Sequence, residues 1–146
     1  MRFTIDEAAR ATGGSFSIDP VSDQMEITSL TWDSRSVEPG ALYVALPGER
    51  VDGHAFAASA VAAGAVCVLA QHALDQASAD QIAAAGAAVI QVPDTQAAVT
   101  ALARAWRDRL EGRVIGITGS TGKTTTKNLV RDVLVAAGSV CATKGN

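Results

Sequence analysis

Between residues 41 and 92 the apolar positions gather into three short runs, Ala41–Leu46, Ala65–Ala70 and Ala87–Val92, each preceded by a glycine. Runs of this length bounded by turn residues predict strands. Between them lie two stretches rich in small residues, Phe56–Ala63 and Leu74–Ala85, which predict helices closed by Gly64 and Gly86. Asp94 or Thr95 then caps a longer helix that carries Ala98, Leu102, Ala105, Trp106 and Leu110 at helical spacing. Upstream, Thr4-Ile5-Asp6-Glu7 has the form of a capping box and starts a helix that runs to about Thr12, where Gly13-Gly14 stop it. Phe16–Ile18 and Ile27–Trp32 are β-branched or alternating and predict strands, and Pro39-Gly40 predicts a turn. Strands alternating with helices imply an α/β fold with a largely parallel sheet. Its alanine-rich helices serve close packing rather than chemistry.

A second rhythm starts after Glu111-Gly112-Arg113, a hinge by composition. Val114-Ile115-Gly116-Ile117-Thr118 predicts a buried strand, followed by a glycine-rich loop and a helix from about Lys123 to Ala137 closed by Gly138. Val140-Cys141-Ala142-Thr143 predicts the next strand. This is the β–loop–α–β opening of a mononucleotide-binding unit, and about 35 residues are too few to complete such a layered domain. The chain thus divides into a small domain over 1–111 and the start of a second over 112–146.

Composition adds limits. Hydrophobic residues make up 48% and charged residues 18% of the 146 residues, which suits a globular core. No apolar run reaches the roughly 20 residues of a membrane helix, and the first residues lack the layout of a secretory signal, so a cytoplasmic location is expected. Cys67 and Cys141 both sit in apolar runs and are expected to be buried free thiols. His54 and His72 show no metal-ligand spacing. Charge is unevenly spread: 1–111 carries seven Arg, no Lys and fourteen acidic residues, whereas 112–146 carries five basic residues and one acidic. A basic segment around a glycine-rich loop fits an anionic ligand such as a nucleotide. The acidic bulk and 4% aromatic content argue against nucleic-acid binding.

The loop Gly119-Ser120-Thr121-Gly122-Lys123-Thr124-Thr125 supplies what a polyphosphate needs. Glycines let the backbone approach closely, and the following helix brings partial positive charge. Lys123 can reach the outer phosphates of ATP and act catalytically there, and the Thr124 hydroxyl can hold Mg²⁺. The spacing departs from the general G-x-x-x-x-G-K-[ST] pattern, since Ile117 stands where its first glycine would be. In the first domain, Asp33-Ser34-Arg35 places a hydroxyl and a guanidinium after a strand, and Asp52-Gly53-His54 precedes a helix. Both positions favour an anion. Taken alone, the same residues also suit plain capping and surface pairing.

Thr118 to Thr126 resembles the shorter phosphate loop of the Mur ligases, ATP-dependent enzymes that add amino acids to UDP-N-acetylmuramate during peptidoglycan synthesis. Asp33-Ser34-Arg35, Pro39-Gly40, Leu42-Tyr43-Val44-Ala45-Leu46, Gly48 and Asp52-Gly53-His54, in that order ahead of the loop, are similar to the family's N-terminal substrate domain. The resemblance covers nearly the whole chain. Within the family, Ala45–Arg50, the loop's Gly-Ser-Thr-Gly-Lys-Thr-Thr-Thr-Lys and the helix after Asp94-Thr95 look like the member that joins D-alanyl-D-alanine to UDP-MurNAc-tripeptide. The implied fold is an α/β substrate domain followed by the first β–P-loop–α–β unit of a P-loop ATPase domain. Implied roles are the UDP end of the substrate for Ser34 and Arg35, and the ATP phosphates for Gly119 to Thr125 with Mg²⁺ on Thr124. Thr143-Lys144-Gly145-Asn146 resembles the start of the family's Thr-x-Gly-Asn segment, which places Thr143 and Asn146 near the muramoyl group. The implied reaction runs through an acyl phosphate on the substrate carboxylate. The acidic Mg²⁺ ligand, the modified lysine, the adenine site and the amino-substrate domain of the family have no counterpart in these residues. The 146 residues are therefore expected not to turn over alone, and the unfinished second unit to self-associate through exposed apolar surface. Two alternatives stay open: another Mur ligase such as the diaminopimelate- or lysine-adding type, and a non-catalytic UDP- or nucleotide-binding module.

Overall fold

The computed structural model describes residues 2–22, 24–48 and 51–143. The chain forms two compact units, Met1–Leu110 and Glu111–Asn146. In the first, β1 (Phe3–Thr4) leads into α1 (Ile5–Thr12), then β2 (Ser15–Ile18), β3 (Glu26–Ile27), β4 (Ser29–Thr31), β5 (Ala41–Val44), α2 (Ala57–Ala62), β6 (Ala65–Ala70), α3 (Gln76–Ala84), β7 (Ala88–Gln91) and α4 (Thr95–Asp108). The capping box at α1 is complete: Thr4 Oγ1 accepts from the Glu7 amide at 3.2 Å and the Glu7 carboxylate accepts from the Thr4 amide at 2.9 Å. Gly13, at φ 66°, ends the helix in the left-handed conformation.

Five strands form one sheet in the order β2-β7-β6-β5-β4. β4, β5, β6 and β7 run parallel, and β2 closes one edge antiparallel to β7. The sheet is buried on both faces, and the period of two sorts its side chains. Leu42, Val44, Cys67, Leu69, Ala88 and Ile90 face α1 and α4, joined there by Phe3, Ile5, Ala98 and Leu102. Tyr43, Ala45, Val68, Ala70 and Val89 face the other way, against Ala57, Ala60 and Val61 of α2 and Ile82 of α3. Ala57 and Ala60 are wholly buried on that face, so small side chains set the close helix–sheet approach. No helix among the described residues is long and apolar enough to cross a membrane.

Four expectations change. Ile27–Trp32 is two strands: Thr28 turns its amide to the Gly40 carbonyl at 2.9 Å, so Ile27 pairs with β1 in a separate two-stranded sheet while Ser29–Thr31 pairs with β5. The 56–63 helix is a 3₁₀ turn, Gly53–Phe56, running into α2. Among the described residues of the second unit, only α5 (Lys123–Val135) is regular. Val114–Thr118 and Val140–Thr143 enter no ladder, because neither has a paired strand among the described residues, and Val114 and Ile115 stay exposed. Cys141 is likewise exposed rather than buried, while Cys67 is buried, its thiol pushed up to about 12 by burial. Both thiols are free.

Candidate functional site

Because β4 to β7 are parallel, the segments that follow their carboxyl ends meet at one edge of the sheet. Trp32–Arg35 follows β4, Ala45–Gly48 follows β5, and Gln71-His72 follows β6. The first two of these segments, with residues 51–56, surround an open cleft of about 780 Å³ whose lining includes Trp32, Ser34, Arg35, Tyr43, Gly48 and Phe56. Ser34 and Arg35, singled out from the sequence, therefore do line one pocket.

Local chemistry shapes the cleft. Asp33 caps the 3₁₀ turn Ser34–Ser36 by accepting from the Arg35 amide at 3.0 Å. Its two oxygens also accept from Arg35 Nε and Nη2, each at 2.9 Å. That fork, aided by the amide, holds the Asp33 carboxyl down at about 2. The guanidinium is thus oriented by its own neighbour, while its outer face stays in solvent. Tyr43 is buried, and its hydroxyl donates to the Gly53 carbonyl at 2.9 Å. Burial, and then the charges of Asp33 and Asp52, raise its pKa. Gly53 leaves no room to spare: a Cβ there would sit 2.7 Å from the Leu46 carbonyl oxygen.

Beside the cleft, Asp52, His54 and His72 lie together, with ligand-type atoms within 4.8 Å of one another. Spacing along the chain gives no sign of this, since the histidines stand 18 positions apart; the parallel topology brings them together. Asp52 accepts from the His54 amide at 3.0 Å, and its carboxyl lies at about 2 chiefly because of that bond and the one to the His54 ring. Asp33 and Asp52 therefore stabilise the fold above the ordinary carboxyl value of about 3.8, a contribution lost as pH falls from there through about 2. Asp52→Asn should flatten the acid limb of a stability-against-pH curve between these values. An unchanged slope in circular-dichroism melts would refute the role of this carboxylate.

The second unit presents the phosphate loop. Gly119 has φ 155° and Gly122 φ 77°, the latter in the left-handed region at the start of α5. Lys123 Nζ donates to the Gly119 carbonyl at 2.8 Å, which folds the cation back over the loop. Helices α1, α3 and α4 are each capped by a side chain, from Thr4, Asp75 and Asp94, whereas α2 has no side-chain cap and neither does α5. Its N-terminal amides and the glycine backbone thus fit a polyphosphate. For Mg²⁺ the sequence-predicted ligand, the Thr124 hydroxyl, stands among further loop hydroxyls on Ser120, Thr121 and Thr125. The acidic grouping described above lies in the other unit. A separate cleft of about 260 Å³ lies between 113–117, α5 and 140–143, and none of Gly119–Lys123 lines it. The Thr143 carbonyl accepts from Lys127 Nζ at 2.7 Å. Asn146 lies outside the described residues.

The chain matches known proteins in sequence and in fold. The model of the Mur ligase family, catalytic domain, matches residues 26–107. A UDP-N-acetylmuramoyl-tripeptide–D-alanyl-D-alanine ligase of Bacillus subtilis is 37% identical over 98% of this chain and 30% of its own length. A UDP-N-acetylmuramoyl-L-alanyl-D-glutamate–2,6-diaminopimelate ligase of Solibacter usitatus is 42% identical over 86% of this chain and 24% of its own length. Among solved structures, MurF from Acinetobacter baumannii superposes on all of the chain with a TM-score of 0.81 and 33% identity, covering 30% of that protein. MurF from Thermotoga maritima, solved with ADP, has a TM-score of 0.68 and 32% identity over 82% of this chain and 26% of its own. The chain spans about a quarter to a third of the length of these proteins.

Proposed function

This chain belongs to the Mur ligase family, and from that premise we propose that it serves an ATP-dependent ligase that joins D-alanyl-D-alanine to UDP-MurNAc-tripeptide in peptidoglycan precursor synthesis. The carrying observation is that the match to the D-alanyl-D-alanine ligase runs over 98% of the chain, through both the sheet-edge cleft and the phosphate loop. Four MurF structures are also similar, each at 32–33% identity. Residues 1–111 form the substrate domain, and 112–146 open the ATP-binding domain.

Each residue's part follows from its chemistry. The exposed rings of Trp32 and Phe56 suit a flat heterocycle, while Ser34 and Arg35 offer a hydroxyl and a pre-oriented cation to the diphosphate. Backbone amides of Gly119 to Thr125 hold the ATP phosphates, and Lys123 offsets charge on the transferring phosphoryl group. Thr124 supplies an oxygen to Mg²⁺. MgATP held by these residues would supply a phosphoryl group to the substrate carboxylate, with ADP leaving, and the D-alanyl-D-alanine amine would then displace phosphate to form the amide. Thr143 serves the muramoyl side of the substrate.

The 42% identity to a diaminopimelate ligase keeps one second reading, a ligase for that amino acid. Phosphate release by the whole ligase separates the two. It should need UDP-MurNAc-tripeptide and D-alanyl-D-alanine together. Release driven instead by UDP-MurNAc-L-alanyl-D-glutamate with diaminopimelate would reassign the chain. The 146 residues alone should release no phosphate with either set.

A further inference from the structure

The Asp52–His54–His72 grouping has the composition of a metal site, but its hydrogen bonds point elsewhere. His54 Nε2 accepts from the Gln71 amide at 2.9 Å and faces the His72 amide at 3.4 Å, so the ring carries its proton on Nδ1 and donates it to Asp52 Oδ1. A cation on Nδ1 would force a proton onto Nε2, against a backbone N–H. His72 faces an acceptor at each nitrogen: the Ala73 carbonyl at 3.1 Å from Nδ1, and Asp52 Oδ2 at 2.8 Å from Nε2. The two rings stack with centroids 3.6 Å apart at 20°. Asp52 thus bridges both histidines, and every ring nitrogen has a partner within the protein.

We propose that this grouping is a clasp that holds Val51 and Gly53 in place against Leu46 and Tyr43 in the wall of the cleft, with His72 as a positioning residue for the UDP end of the substrate. The inference rests on the reading of the cleft given above. Asp52 immediately precedes Gly53, whose amide donates to the Leu46 carbonyl at 2.9 Å and whose carbonyl accepts from Tyr43 at 2.9 Å. Tyr43, Leu46, Val51 and Gly53 all line the cleft. A shift of the Asp52 carboxylate therefore moves the wall directly. On the far side, Gln71 Oε1 faces the Thr95 amide and hydroxyl at 3.4 and 3.5 Å, which ties the clasp to the start of α4. The wall, the loop after β6 and α4 are held as one unit.

The titratable groups around His72 are Asp52, from the loop before the 3₁₀ turn, and His54, from that turn. Tyr43 on β5 and Asp33 after β4 interact with the same cleft through charge. The Ala73 carbonyl and then Asp52 raise the pKa of His72, so its doubly protonated ring persists above the ordinary value of 6.5. Stability from the clasp is complete below that value and falls as pH rises through the raised one. The neutral ring must give up one of its two acceptors.

The test is amide exchange and histidine titration by NMR on the 146-residue chain, with UDP titrated at low and high pH. His72→Ala should speed exchange at Val51 and Gly53 and weaken UDP binding by about tenfold, the loss expected for a hydrogen bond to a charged group. His72→Gln keeps a donor for Asp52 without a titrating ring. It should restore most of the affinity and abolish the pH dependence seen in the wild type. Unchanged exchange in His72→Ala, or faster exchange with unchanged UDP affinity, would overturn the proposal. Tight Zn²⁺ binding that shifts both histidine rings would overturn it in favour of a metal site. If the wild-type chain fails to bind UDP, the substrate reading and the positioning role fall together, while amide exchange still decides whether the clasp holds the wall.

Discussion

Lys123→Ala should lower turnover of the whole ligase by about a thousandfold while leaving the fold intact, since a single charge aimed at developing phosphoryl charge is worth that much in such sites. Lys123 is the first residue of α5, and its ammonium group is folded over the loop onto the Gly119 carbonyl at 2.8 Å. Phosphates placed against the α5 amides would meet that cation in the same small volume. Alanine is the best helix former, so α5 keeps its start and the loss falls on charge alone. Phosphate release assays paired with thermal melts check both halves. A variant within tenfold of wild type would remove Lys123 from the chemistry, and a large drop in melting temperature would reassign its role to structure.

Tyr43→Ala should cost the first unit about 4 kcal/mol, in the range for emptying an aromatic site in a packed core. Tyr43 is 1% exposed and sits on the face of β5 that packs against α2. Its hydroxyl also anchors the Gly53 carbonyl, so the same change frees the cleft wall. Tyr43→Phe separates these effects, because it keeps the ring and loses only the anchor, about 1 kcal/mol. Chemical denaturation of both variants checks the difference. Equal destabilisation by the two would mean that the hydrogen bond, not the ring, supports this face.

Caps and buried runs made most of the first unit legible in the sequence. The capping box at Thr4, the glycines after α1 and α2, and Asp94 before α4 each act locally, so local residues reveal them. The runs at 41–46, 65–70 and 87–92 become strands for a similar reason, since their burial on both faces is written in their composition. What stayed hidden depends on partners distant in sequence. Ile27–Trp32 reads as one strand, and only the Thr28 to Gly40 bond splits it between two sheets. Val114–Thr118 has strand composition but no strand to pair with among the described residues. Cys141 was expected to be buried from its apolar neighbours, but its segment enters no ladder and leaves the thiol exposed.

The cleft shows the same division. Ser34 and Arg35 stand out because a hydroxyl and a guanidinium after a strand are chemically conspicuous. The Asp33 fork that orients Arg35 could be guessed only as surface pairing. His72 carries no signal of its own, and it reaches Asp52 because both follow parallel strands that end at one edge. A sequence reading that had listed every polar residue just after a predicted parallel strand would have included it.

On the function proposed above, the sheet-edge cleft of the first unit receives the UDP end of a UDP-MurNAc-peptide. Amide chemical-shift mapping of the 146-residue chain during titration with UDP-MurNAc-tripeptide tests it most directly. Saturable shifts should appear at Ser34, Arg35, Gly48 and Gly53, and UDP alone should reproduce most of them. Shifts confined to Gly119–Thr125, or none that saturate, would contradict the account.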